Sequence, residues 1–169
     1  MTTQADRADQ WTRRAILDMV RESGGHISER PIYLGSSVSR PDAEPMAALG
    51  TIQYVEAAAR HNARRYIRDA REAGHGWHDI GAALGLTGGT GYGETVAEAA
   101  YTYAAEDLDS AYARDYGRSF TWTCPSCDAA IHDRGPYSGP ENDEEGHARD
   151  CSRLAAAVAE REAQWEAEA

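Results

Sequence analysis

Helical periodicity dominates the pattern of apolar and polar positions. Trp11, Ala15, Ile16, Met19 and Val20 fall at i, i+4, i+5, i+8 and i+9, an apolar stripe that predicts a helix over residues 9–22. Gly24-Gly25 stops it. Residues 24–45 lose the period and hold Pro31, Pro41, Pro45, Gly35 and four serines, which reads as a linker with one short extended piece at Ile32-Tyr33-Leu34. Pro45 stands where helices often begin. From there Ile52, Val55, Ala59, Ala63, Tyr66 and Ala70 recur at three and four, predicting a long helix over 46–73 that Gly74 ends.

A short helix is expected over 77–84, stopped by Gly85. Residues 87–93 carry four glycines, each costing about 1 kcal/mol inside a helix, so this stretch is a loop. Thr95-Val96-Ala97-Glu98 has capping-box form and opens a helix to about Leu108. Phe120 to Thr123 alternates like a strand, a second strand is expected over 129–132, and from about Glu144 the chain reads as an alanine-rich helix.

Composition adds a constraint. Leu, Ile, Val and Phe number only 20 of 169 residues, and the net charge is −11, so the cores are thin and need a staple. No apolar run approaches the roughly 20 residues of a membrane span. The first ten residues are polar and lack a secretory h-region, so no membrane partner and a cytoplasmic, thiol-reducing location are expected. Every basic residue is arginine. The acidity argues against coating nucleic acid by bulk charge. Only residues 46–74 are basic, with five arginines against three acids.

All three cysteines join one histidine in a single pattern. Cys124-Pro125-Ser126-Cys127 is followed by 19 residues and then His147-x-x-x-Cys151. Three thiolates and an imidazole complete a tetrahedral zinc set. A Cys-x-x-Cys turn at a hairpin tip presents two sulfurs to one point, and residues four apart share a helix face, so the metal would clamp a hairpin to a helix start. The rivals fit less well. A redox Cys-x-x-Cys needs a βαβ setting, a disulfide framework needs export and leaves one cysteine over, and a nucleobase deaminase needs a His-x-Glu that does not occur. Four protein ligands leave no open position, which makes the zinc structural rather than catalytic. His132 is a weaker competing ligand, and His75 and His78 beside Asp79 read as surface or capping residues.

Ile80-Gly81-x-x-Leu84-Gly85-Leu86-Thr87 has helix-turn-helix logic: Gly81 for close helix approach, Ile80, Leu84 and Leu86 for a small core, Gly85 for the turn and Thr87 for the next cap. The glycine run delays the following helix, which carries Glu94, Glu98, Glu106 and Asp107 and no arginine, so it would repel phosphate. Arg60, Arg64, Arg68 and Arg71, with Arg65 adjacent, form a basic stripe that either grips phosphates or is a solvated face. Tyr92, Tyr101, Tyr103, Tyr112 and Tyr116 are core rather than stacking residues in the absence of local arginine. No Ser/His/Asp order, phosphate loop or carboxylate pair stands out, and Gly89 to Gly93 follows a helix and lacks a Gly-Lys-Ser/Thr ending, so no enzyme is expected.

The segment from Gly74 through Trp77-His78-Asp79-Ile80-Gly81 to Leu86, with Phe120-Thr-Trp-Thr-Cys-Pro-Ser-Cys127, Asp133-Arg-Gly-Pro136 and Glu145-Gly-His-Ala-Arg-Asp-Cys-Ser152, resembles actinobacterial (Streptomyces-type) proteins that join a helix-turn-helix-like segment to a C-terminal CCHC zinc-finger tail. The resemblance covers roughly residue 41 to the end of the chain. It implies zinc at Cys124, Cys127, His147 and Cys151, and DNA-linked or regulatory roles.

The expectation is therefore a mainly α protein: an N-terminal helix and linker (1–45), a helix-turn-helix-like helical domain (46–117) and a small α+β zinc module (118–169). Its expected function is that of a non-enzymatic, zinc-stabilised regulator, DNA-associated through 46–95 by Arg60, Arg64, Arg65, Arg68, Arg71 and Thr87. The alternative is an acidic protein–protein interaction module, an adaptor or a mimic of nucleic-acid charge.

Overall fold

The computed structural model describes residues 2–89, 94–105 and 120–168. Mostly helical, with two small antiparallel sheets, these residues gather into two compact units, up to Asn62 and from Ala63 onward. One helix, α2 (Pro45–Glu72), has residues in both units. The Tyr92, Tyr112 and Tyr116 readings, the end of the glycine run and the helix beyond residue 105 lie outside the described residues.

In the first unit, α1 spans Gln4–Glu22 and starts five residues before the periodicity suggests. Its start is a cap: Thr3 and Asp6 exchange backbone-to-side-chain hydrogen bonds of 2.8 and 3.1 Å, satisfying two otherwise orphaned amides. The apolar stripe is narrower than expected. Val20 is buried, but Trp11 is 80% exposed.

Residues 24–45 are not a linker. They fold into a hairpin of β1 (Ile27–Pro31) and β2 (Ser39–Ala43), and Ile32-Tyr33-Leu34 lies in its turn rather than in a strand. The two prolines hid this reading, yet they are compatible with it. Backbone bonds from Ile32 to Val38 and from Glu44 to His26 place the hydrogen-bonded pairs at even-numbered positions. Pro31 and Pro41 therefore occupy positions whose nitrogens face away from the partner strand, where no donor is missed. The Arg13 guanidinium donates to Asp42 at 3.1 Å and ties α1 to β2.

The long helix occurs as expected, with a Glu44 carboxylate oxygen accepting from the Ala47 amide at 2.8 Å at its start. Its buried face is displaced, however: Tyr66 is 62% exposed and its neighbour Ile67 is buried.

In the second unit, α3 (Trp77–Ala83) packs on α4 (Val96–Ala105). They approach so closely at Gly81 that a Cβ there would lie 2.6 Å from both the Cγ1 and the carbonyl oxygen of Val96, as the reading of Gly81 required. The Thr95/Glu98 capping box forms, with bonds of 3.0 and 3.1 Å. The described residues do not show a helix-turn-helix. Twelve residues separate α3 from α4, Leu84 is 37% exposed, and Ala99, Ala100, Tyr101, Ala104 and Ala105 of α4 are buried. A helix consumed by its own core has little surface left for a duplex.

A three-stranded sheet follows: β3 (Phe120–Thr123), β4 (Ala130–Asp133) and β5 (Glu144–Glu145). A single helical turn, α5 (Pro140–Asp143), precedes β5. The C-terminal helix α6 covers Ser152–Glu168, eight residues later than expected, because Glu144 and Glu145 pair with Asp133 and His132 instead. Gly146 ends that strand at φ +114, where a Cβ would meet the Ala130 carbonyl oxygen at 2.7 Å.

Candidate metal centre

Residues Cys124 to Ala129 form a tight turn between β3 and β4. The Asp128 amide donates to the Cys124 carbonyl at 2.8 Å and the Cys124 amide to the Ala129 carbonyl at 2.9 Å. Asp128 takes φ +54, a conformation its short polar side chain tolerates. His147 lies in the loop after β5, and Cys151 immediately precedes α6. The expected shared helix face is therefore absent. A loop, not a helical turn, brings this pair together.

The four ligand atoms lie within 4.8 Å of one another. Cys124 Sγ is 3.7 Å from Cys151 Sγ, and His147 Nδ1 is 3.3 Å from Cys151 Sγ and 3.7 Å from Cys127 Sγ. A tetrahedral ion bonded at about 2.3 Å to sulfur and about 2.0 Å to nitrogen has ligand–ligand edges of about 3.5 to 3.8 Å. The donor set and its spacing fit such an ion. Cys124 and Cys151 are buried, Cys127 is half-buried, and the imidazole is only 1% exposed.

Backbone amides prepare the sulfurs for a cation. The amides of Ala148 and Ala129, followed by the His147 side chain, pull the Cys127 thiol down to about 6. Burial pushes the Cys124 thiol up, against the opposing amides of Ser126 and Cys127. The fold thus pushes the two sulfurs in opposite directions, Cys127 toward the thiolate and Cys124 toward the thiol. His132 is exposed on β4 and outside the cluster. His75 and His78 are also exposed.

The arginines of α2 part company. Arg60 and Arg65 are exposed, the latter lying 4.9 Å over the Tyr66 ring. Arg64 Nε donates to the Ala104 carbonyl at 3.1 Å, and Arg68 Nε to the Thr121 carbonyl at 3.0 Å. Arg71 is buried, its Nε 3.0 Å from Asp133 Oδ2. It is a core residue rather than part of a phosphate-gripping surface. Thr87 is exposed in the turn after α3. The stripe reading put Arg71 with its neighbours because periodicity shows only which face a residue occupies, not what covers that face.

Asp133 stands in the sequence reading only as part of Asp133-Arg-Gly-Pro136, with no role assigned to it. It is fully buried and accepts from the indole nitrogens of both Trp77 and Trp122 at 3.0 Å, from Arg71, and from the Gly135 amide at 3.0 Å. The signal was the tryptophans: a buried indole N–H needs an acceptor, and the chain pairs two of them with one carboxylate. Arg153 stacks 4.1 Å over Trp122 and donates to the Glu72 carbonyl at 3.2 Å, joining α6 to the end of α2.

Comparison with protein-family models, with curated proteins and with solved structures returned no significant match.

Proposed function

We propose that the protein is a non-enzymatic binding module held together by one structural zinc ion on Cys124, Cys127, His147 and Cys151. The convergence of three sulfurs and an imidazole nitrogen within 4.8 Å carries this reading. Soft thiolates with one imidazole favour zinc among common divalent ions, and four protein ligands leave no position for water or substrate. Elemental analysis of protein prepared without added metal tests it: one zinc per chain is expected, and metal-free folded protein refutes it.

The role is regulatory or accessory, in the cytoplasm, through contact with another protein. The support is a knob of apolar side chains at the hairpin tip, with Ile32 50%, Tyr33 70%, Leu34 103% and Val38 58% exposed. Binding of a partner should fall when Leu34 and Tyr33 are replaced by serine, and an unchanged set of partners in pull-downs would sink this role.

The second reading is DNA association through the helix-turn-helix-like segment, favoured by the exposure of Arg60 and Arg65. Arg71 is buried and Arg64 is drawn onto the Ala104 carbonyl, while Arg68 is exposed with its Nε on the Thr121 carbonyl, so the salt dependence of any DNA binding should correspond to about three phosphate contacts rather than five. No mobility shift at low salt removes that reading.

A further inference from the structure

A thiolate ligand needs little orientation, whereas an imidazole has two nitrogens and a ring plane to fix. His147 turns Nδ1 toward the sulfurs and Nε2 toward Glu144, whose Oε2 lies 3.1 Å away. With a metal on Nδ1, the ring proton resides on Nε2 and is donated to that carboxylate. The other Glu144 oxygen, Oε1, accepts from Nη2 of Arg71. Arg71 is itself fixed at every nitrogen: Nε and Nη2 reach Asp133 Oδ2 at 3.0 and 2.9 Å, and Nη1 donates to the His75 carbonyl at 2.9 Å. Beyond Asp133 stand the two indoles. Trp122 closes the circuit, its ring edge-on to His147 with centroids 5.8 Å apart.

Glu144 is the residue that makes this arrangement informative. It belongs to a two-residue strand, and its side chain is only 13% exposed. Its neighbour Glu145 is exposed and pairs with Arg134. An inward-turned carboxylate loses hydration unless both oxygens find partners. Here one oxygen serves the ligand and the other serves the core.

Resting on the zinc reading, we propose that Glu144 is the positioning residue of the metal centre, and that Arg71 holds it in place so that metal affinity is coupled to the packing of α2. Glu144 sets the tautomer and plane of His147, and Arg71, anchored on Asp133, keeps the carboxylate from turning to solvent. Coupling of this kind is reciprocal: a change that loosens Arg71 weakens the metal, and metal binding tightens the end of α2.

The test uses the full-length chain. Zinc affinity is measured by competition with a chromophoric chelator, and ligand geometry by the absorption of the Co2+ form. Glu144→Ala lowers zinc affinity 10- to 100-fold while the Co2+ bands keep their tetrahedral energies. Glu144→Gln, which retains an acceptor for the Nε2 proton but no charge, loses less. Glu145→Ala loses nothing. The decisive arm is a cycle with His147→Cys, in which the new thiolate has no outward proton to donate. On that background Glu144→Ala costs no zinc affinity. If Glu144→Ala costs the same factor on both backgrounds, it acts through general stability and the proposal is overturned. It is equally overturned if the single variant binds zinc like wild type. Wild-type protein that takes up neither ion overturns the zinc reading itself, and this proposal with it.

Discussion

The two units reach order by opposite means. Residues up to Asn62 include a 19-residue helix and a hairpin, yet among the described residues Val20 is the one buried hydrophobic side chain there. That unit depends on local devices: the Thr3/Asp6 cap, the hairpin ladder and the Arg13–Asp42 ion pair. Residues from Ala63 have Trp77, Phe120, Trp122 and Ile131 packed over a buried carboxylate and a sulfur cluster. The contrast is not one of apolar content, since Trp11 and Leu34 are as apolar as anything in the second unit. It lies in whether something converges on the apolar groups. In the second unit an aspartate and a candidate metal centre give the aromatics a fixed point, and in the first nothing does.

The comparison is broken most severely by removing the metal. Structural zinc supplies an apparent 10–16 kcal/mol or so in small domains, comparable with the whole stability of a typical fold. Treatment with a strong chelator, or Cys124→Ser, should melt the β3–β5 module and shift tryptophan emission to the red. Amide exchange in α1 and the hairpin should stay unchanged. Equal loss of protection in both units would contradict the contrast.

Asp133→Asn comes next. It keeps the shape but removes the charge facing Arg71, and breaking a buried pair costs about 3–5 kcal/mol, to be read as a lower urea midpoint. Gly81→Ala should cost about 1–3 kcal/mol despite alanine's better helix propensity, because the added methyl meets the Val96 backbone. Thr3→Ala, in the first unit, should cost about 1 kcal/mol, visible as fraying of α1 in amide exchange.

The smallest effect sharpens the picture by pH. The folded module holds the Cys127 thiol down to about 6 through the amides of Ala148 and Ala129, against an ordinary 9.0. A depressed acid stabilises the folded state above its unfolded pKa, and that contribution is lost as pH falls toward 6. Once a chelator has melted the module those amides are gone, so iodoacetamide alkylation of all three thiols should accelerate only as pH rises toward about 9. Half-maximal reaction of Cys127 near pH 6 in chelated protein would show a module that stays folded without metal. Bound zinc should protect all three.

Much of this was written in the chain. Cys124, Cys127, His147 and Cys151 announce themselves because ligand chemistry tolerates few substitutes and the spacing is short. The long helix was equally plain, as was Gly81, since a helix interior admits glycine readily only where another backbone needs the space. What failed was long-range. The hairpin was obscured because Pro31 and Pro41 suppress strand propensity, and only the register shows that both fall where no donor is required. The start of α6 moved because Glu144 and Glu145 answer to β4 rather than to their alanine-rich surroundings. Arg71 and Asp133 are 62 positions apart, and no local pattern could join them.

The placement of those prolines has a consequence for assembly. A two-stranded ribbon exposes both edges, and unpaired edges recruit strands from other molecules. On the outward side of β1, Pro31 deletes one of three donors; on that of β2, Pro41 does the same. Neither margin offers an unbroken row of amides, so each edge of the ribbon is a poorer template for a further strand than an uninterrupted one would be.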